Sequence, residues 1–388
     1  MAAEGIPRRI PQWIPHSRPT RVDGDLQAVE RVLAGGHLAT GPEVRAFEGE
    51  VARSCGRKWA VATSSGLAAL HIALLSLDIR PGDRVAIPSF VCTALLNALR
   101  FVGAAEVLID CARGSVNIDP EASGLAGVRA AIVPHLLGYP APLGRIAERL
   151  RAAGGMVIED CAMAAGAEFT GNPAGPDGGR GPGGGRKPSG EVAVFSLYAT
   201  KMATCGQGGV LAGDDPAIEA RARDLLDYDN REAYRVRFNY ALTDIQAALA
   251  RLQWGALPAF VARRRALAAR FDRDIDHEAI EKWTGTRSPH REPERSEPCY
   301  FRYPLDLGTA ARREMVRRSL DGAGVGAKSP VFRPIHRYLE RPDGEFPCAS
   351  RCQEGLLSIP IYPSLTDGEA CRVIAAVNAA VGPIDRMS

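Results

Sequence analysis

Between Trp59 and Ala212 the chain repeats one pattern: a short β-prone apolar run, a break of small or polar residues, and a longer stretch with helical spacing. The apolar runs fall at 59–63, 85–88, 107–110, 130–134, 156–158, 192–197 and 210–212. Short, nearly continuous apolar runs suit strands buried on both faces, and the helical stretches between them suit crossover connections. The pattern predicts an α/β fold whose mostly parallel sheet is sandwiched by helices. Sheets of this kind gather ligands at the carboxyl ends of their strands, so the residues that end each run are the ones to read for chemistry.

Two of those ends carry reactive groups. The run 192–197 breaks into a polar turn holding Lys201, then passes Gly206, Gly208 and Gly209 into the run 210–212, which reads as a strand, a presented lysine, a flexible loop and a second strand. A lysine among apolar neighbours loses solvation, which favours its neutral, nucleophilic form and suits imine formation with a carbonyl. The alternative is an ordinary loop lysine. The run 156–158 ends in Glu159 and Asp160. A carboxylate there can pair with a buried cation or can cap the helix that follows. At 59–75 a strand meets Ser64, Ser65 and Gly66 and then a long apolar helix, whose first amides can take a phosphate with help from the helix dipole.

These segments resemble the DegT/DnrJ/EryC1/StrS aminotransferases, fold-type I enzymes dependent on pyridoxal 5'-phosphate (PLP). The resemblance rests on Glu159-Asp-Cys-Ala-Met-Ala-Ala-Gly-Ala167, on Phe195-Ser-Leu-Tyr-Ala-Thr-Lys201 with Gly206-Gln-Gly-Gly209, and on Asn239-Tyr-Ala-Leu-Thr-Asp-Ile-Gln-Ala-Ala248, in that order. It implies that Lys201 binds the cofactor aldehyde and moves protons, that Asp160 keeps the pyridine nitrogen protonated, and that Ser196 with the Gly66 and Leu67 amides holds the phosphate. It places Asn239 on the phosphate of a neighbouring subunit, implying a homodimer with shared sites, and makes Tyr198 and His336 substrate contacts. Cys92 and Met163 line the cofactor, standing where the family commonly has an aromatic ring and a glutamine. Leu67, Met202 and Gln207 likewise replace a threonine, an asparagine and a glutamate.

The activity implied is transfer of an amino group from an amino acid, glutamate or glutamine, to a keto sugar or keto cyclitol in secondary-metabolite or glycan biosynthesis. Other PLP reactions on the scaffold, elimination or dehydration among them, and a catalytically weak partner subunit remain open. Retention of Lys201 argues against the family's dehydratases, which carry histidine there. A large PLP-binding domain over 1–255 and a small C-terminal α+β domain over 256–388 are expected, with a Gly/Pro-rich loop at about 170–190.

Charge and cysteine usage narrow the setting. A formal net charge of +3 with no basic run does not suggest nucleic acid. No apolar run approaches membrane-spanning length, and the first fifteen residues lack a secretion signal's apolar core. Nine scattered cysteines suit reduced thiols in a cytoplasm, and Cys348-x-x-x-Cys352 is read as a chance spacing, with no metal site expected. The segment 242–271 reads as one helical run, and 276–297 as an exposed polar excursion.

Overall fold

The computed structural model describes residues 13–167, 190–229, 231–284 and 298–382. The Gly/Pro-rich stretch therefore lies outside the described residues. The elements run α1 (Asp25–Gly35), α2 (Pro42–Cys55), β1 (Trp59–Thr63), α3 (Gly66–Ser76), β2 (Arg84–Pro88), α4 (Ala94–Val102), β3 (Ala105–Ile109), β4 (Ala130–Pro134), α5 (Leu143–Ala152), β5 (Met156–Asp160), β6 (Val192–Ser196), β7 (Gly209–Gly213) and α6 (Pro216–Leu226). There follow α7 (Asp244–Gly255), α8 (Leu257–Asp274), α9 (His277–Thr284), β8 (Tyr303–Asp306), α10 (Ala310–Gly322), α11 (Ile335–Tyr338), α12 (Pro347–Gly355), β9 (Leu356–Ile359) and α13 (Asp367–Val381).

Every apolar run of the repeated pattern becomes a strand of one sheet, ordered β1-β7-β6-β5-β4-β2-β3. Only β7 runs antiparallel to its neighbours, β1 and β6; the pairs β6–β5, β5–β4, β4–β2 and β2–β3 are parallel. The strand interiors are buried nearly throughout, as the lack of alternation in the sequence requires. This polarity puts Thr63, Pro134, Asp160 and Ser196 at one edge of the sheet together with Gly209, where β7 starts. Register tightens the grouping: Thr63 and Ser196 both pair with Gly209, and Asp160 pairs with Val194, two residues before Ser196.

Helix α3 lies against β6 and β7, buried on every side by Leu70, Ile72 and Leu74 among others, which explains its uniformly apolar sequence. A second core, containing Phe271, Tyr303, Leu305, Leu320, Leu357, Ile359 and Val377, forms around the antiparallel pair β8–β9. Ile14 belongs to this second core. Its amide and carbonyl bond Gly324 and Gly326, so the N-terminal segment reaches back to the far end of the chain.

Two expectations need correction. The run 242–271 is two helices: α7 ends at Gly255, and α8 begins at Leu257 with Pro258 in its first turn, where proline's missing amide is tolerated. The polar stretch after Asp276 is not wholly an exposed excursion, because α9 starts there with His277 and Ile280 buried. The rest of the polar stretch, 285–297, lies outside the described residues. Among the described residues no helix is long and apolar enough to cross a membrane.

Candidate active site

The site begins at the junction of β1 and α3. Ser65 is the N-cap, its Oγ accepting from the Ala68 amide at 3.0 Å, which leaves the Gly66 and Leu67 amides without a partner among the described residues. A Cβ on Gly66 would sit 2.9 Å from Ser196 Cβ and 3.1 Å from its Oγ, so the first amide of α3 and the hydroxyl ending β6 share one notch. An unpaired helix N-terminus beside a hydroxyl is chemistry that takes a phosphate dianion.

The lysine loop is held shut by its own hydrogen bonds. Leu197 donates to Gly208 O at 2.8 Å, while Thr204 Oγ1 and the Cys205 amide donate to Leu197 O. Gly209 serves close approach: a Cβ there would fall 2.3 Å from the Ser65 carbonyl oxygen. The expectation of a flexible loop is therefore corrected; Gly209 lets the lysine loop pack against the start of α3, and Gly208 lets it close on Cys205 and Leu197.

Lys201, carried by this loop, is partly buried, with Nζ 5.2 Å from the centroid of Phe301. Desolvation pushes its pKa below the usual lysine value, with Arg302 pushing the same way, against the opposing influence of Cys92 and Asp160. Asp160 is 6% exposed. Its Oδ1 accepts from the Ala162 amide at 2.9 Å, and its other oxygen makes no hydrogen bond among the described residues. Burial raises its pKa, even with the amide, Lys201 and His135 favouring the anion. A buried carboxylate with a free oxygen is suited to a cation supplied from outside the chain.

The opposite face of β5 is structural. Glu159 accepts from His135 Nε2 at 2.9 Å and from the Gly190 amide, while His135 Nδ1 accepts from the Ala141 amide. His135, Glu159 and Cys161 offer ligand-type atoms within 4.8 Å of one another. Both nitrogens of His135 and both oxygens of Glu159 are already hydrogen-bonded.

Residues 299–302 form the wall across from the sheet. The Cys299 and Arg302 amides donate to Gly138 and Leu137 carbonyls at the end of β4. Gly138, at φ +88°, makes this approach possible, since a Cβ would meet Phe301 N at 2.6 Å. Arg264, on α8, ties down the same wall, donating to the carbonyls of Tyr300, Phe301 and Ile361. Nothing in the sequence marked this wall, because it is assembled from a β4 turn and a chain segment more than 150 residues later.

The remaining expected residues divide. Cys92 is exposed and acts electrostatically on Lys201, and Met163 packs partly buried between two core clusters. Asn239 is exposed beside Tyr240, whose carbonyl takes the Ser64 amide at 2.6 Å, so it stands near the start of α3. Tyr198 is 46% exposed. His336 departs from its expected role. It is fully buried, Nδ1 bonding Ser89 Oγ at 2.6 Å and Nε2 facing Asp343 and Ser350, and its ring stacks on Phe346. A ring so enclosed offers no atom to a substrate.

The profile of the DegT/DnrJ/EryC1/StrS aminotransferase family matches residues 20–378. The chain belongs to the DegT/DnrJ/EryC1/StrS aminotransferase family. Among solved structures, TlmJ from Streptoalloteichus hindustanus, an aminotransferase, is 29% identical with a TM-score of 0.81, covering 95% of this chain and 98% of its own. DesV from S. venezuelae, solved in complex with a ketimine intermediate, is 28% identical at TM-score 0.82, covering 96% and 100%. Spr1654 from Streptococcus pneumoniae in its PLP form, at 20% identity, TM-score 0.80 and coverage of 95% and 98%, shows the shared fold alone. This DegT-family chain is thus a fold-type I, PLP-dependent aminotransferase.

Proposed function

We propose that this aminotransferase moves an amino group from an amino acid, glutamate or glutamine, to a keto sugar or keto cyclitol, as a cytoplasmic homodimer. The observation that carries the reading is the pairing of Lys201, its ammonium destabilised by burial, with Asp160, a buried carboxylate that lacks a full set of partners among the described residues.

The residues present fit the cofactor: the Gly66–Ser196 notch suits its phosphate, and the free oxygen of Asp160 suits a protonated ring nitrogen. When bound, PLP supplies an aldehyde that captures amines and a protonated ring that accepts the electron pair left at the donor's α-carbon. Lys201 moves the proton at that α-carbon, a task that needs an amine whose pKa has been brought down towards neutrality. Asp160 holds the proton on the ring nitrogen. The Gly66 and Leu67 amides and Ser196 Oγ bind the phosphate, while Cys92 and Met163 pack against the ring.

Asn239, exposed close to the start of α3, reaches the phosphate of a neighbouring subunit, and Tyr198 meets the substrate. Exposure of Tyr228, Tyr234 and Val236 on the same segment supports a partner surface there. The test is the visible absorption of purified protein with added PLP, for wild type and Lys201→Ala. A cofactor band in the wild type that is lost in the variant supports the assignment; no band in the wild type at saturating PLP refutes it.

A further inference from the structure

Arg302 sits in the wall of the site with no counter-ion among the described residues. Among the described residues its guanidinium makes no ion pair and no side-chain hydrogen bond; it lies 4.2 Å from the Phe301 ring centroid, the ring that Lys201 Nζ approaches at 5.2 Å. Together these distances hold the two cations within about 10 Å of each other. The ionisable groups that interact with it are basic. Arg264 acts on it directly, and it in turn acts on Lys201 and on His16, which Lys328 also faces. Burial and Arg264 bring its pKa down to about 9.

Arg302 is half-buried, and bringing a guanidinium partly out of water with no carboxylate beside it among the described residues is unfavourable. The surrounding residues could have supplied a partner, as they do elsewhere: Arg57 has Asp214 and Arg251 has Glu43 and Glu50. A stacked guanidinium keeps its N–H fork at the ring's edge, which matches a carboxylate in a bidentate pair. Its amide bond to Leu137 O fixes the backbone at the end of β4, next to the strand whose end bears the catalytic carboxylate.

We propose that Arg302 is the specificity residue for the amino donor, pairing its guanidinium with the donor's α-carboxylate while Lys201 acts at the adjacent α-carbon. This rests on the transamination reading of the site. The anionic group of the acceptor, a phosphate on the sugar, has the same chemistry; proximity to Lys201 favours the donor, because the α-carboxylate is bonded to the carbon from which the proton is moved.

The experiment uses full-length protein loaded with PLP, comparing wild type, Arg302→Gln and Arg302→Lys. Cofactor loading is read first by absorbance. Single-turnover amino transfer is then measured with L-glutamate, its γ-amide glutamine and its α-amide isoglutamine, and binding of the unreactive dicarboxylate glutarate is measured by calorimetry. The wild type prefers glutamate over isoglutamine by about 100-fold, glutamine behaves like glutamate, and Arg302→Gln removes the preference and weakens glutarate. Arg302→Lys, which keeps the charge without the fork, falls between.

Unchanged discrimination and glutarate affinity in a fully loaded Arg302→Gln overturn the proposal and leave the reading of the site intact. A defect confined to the sugar-acceptor half-reaction overturns it in favour of the phosphate. A wild type that takes no PLP overturns both. If Arg302→Gln does not fold, Arg302→Lys carries the test: wild-type discrimination in that variant overturns the proposal.

Discussion

Gly209→Ala tests whether the cofactor cradle depends on backbone contact. A methyl group at this position would lie 2.3 Å from the Ser65 carbonyl oxygen, 2.5 Å from Ser65 C and 2.7 Å from Gly66 N. All three are main-chain atoms, so no side chain can swing away. Restoring ordinary contact at about 3.5 Å requires the start of α3 and the head of β7 to separate by about 1 Å. Overpacking of this kind costs about 1–3 kcal/mol of stability, and a rigid backbone neighbour argues for the upper end.

The same displacement moves the Gly66 and Leu67 amides away from the proposed phosphate position, beyond the tolerance of a hydrogen bond. Loss of one such charge-assisted bond is worth about 1.5–3 kcal/mol, or roughly 10- to 150-fold in PLP affinity. The assay is an absorbance titration of apoprotein with PLP beside a thermal melt. Gly206→Ala is the control, since a Cβ there meets nothing within 4 Å and only the positive φ of +86° is strained. It lowers the melting temperature slightly and leaves PLP affinity alone. If Gly209→Ala binds PLP within about twofold of wild type and melts with it, the close-approach argument is refuted.

Two further outcomes follow from His336 and His16. His336→Ala removes hydrogen bonds to Ser89, Asp343 and Ser350 and a ring stack on Phe346. It lowers stability by about 3 kcal/mol in chemical denaturation, while the folded fraction keeps wild-type KM values; a raised KM with unchanged stability would make His336 a substrate contact after all. Burial, reinforced by Arg302 and Lys328, lowers the His16 pKa to about 3. The unfolded chain takes up that proton first, near pH 6.5, so the stability gained from a neutral His16 is complete above that pH and is lost as pH falls towards 3, by roughly 1 kcal/mol per unit. His16→Gln flattens the urea-midpoint profile between about pH 6 and 4; a profile parallel to wild type would contradict the assignment.

Local sequence was enough for the strand–helix alternation, for the lysine loop and for the carboxylate ending β5, because each depends on residues adjacent along the chain. Burial on both faces dictates uniformly apolar runs, and the position of Asp160 and Ser196 at strand ends follows from where those runs stop. The helical break at Gly255–Ala256 was harder to read, since the apolar spacing continues across it and only Pro258 marks the restart.

Tertiary structure alone decided what the glycines and the cations do. Gly209 reads as loop flexibility until Ser65 is seen against it, and Gly138 as an ordinary turn until Phe301 arrives from the other end of the chain. His336, a lone histidine in a segment expected to border the substrate, became a buried strut because Ser89 and Ser350 converge on it from distant segments. Arg302 is one arginine among many in the sequence. What distinguishes it is the company of Lys201 and Arg264 and the lack of a carboxylate among the described residues, and charge balance in three dimensions is not written in the order of residues along a chain.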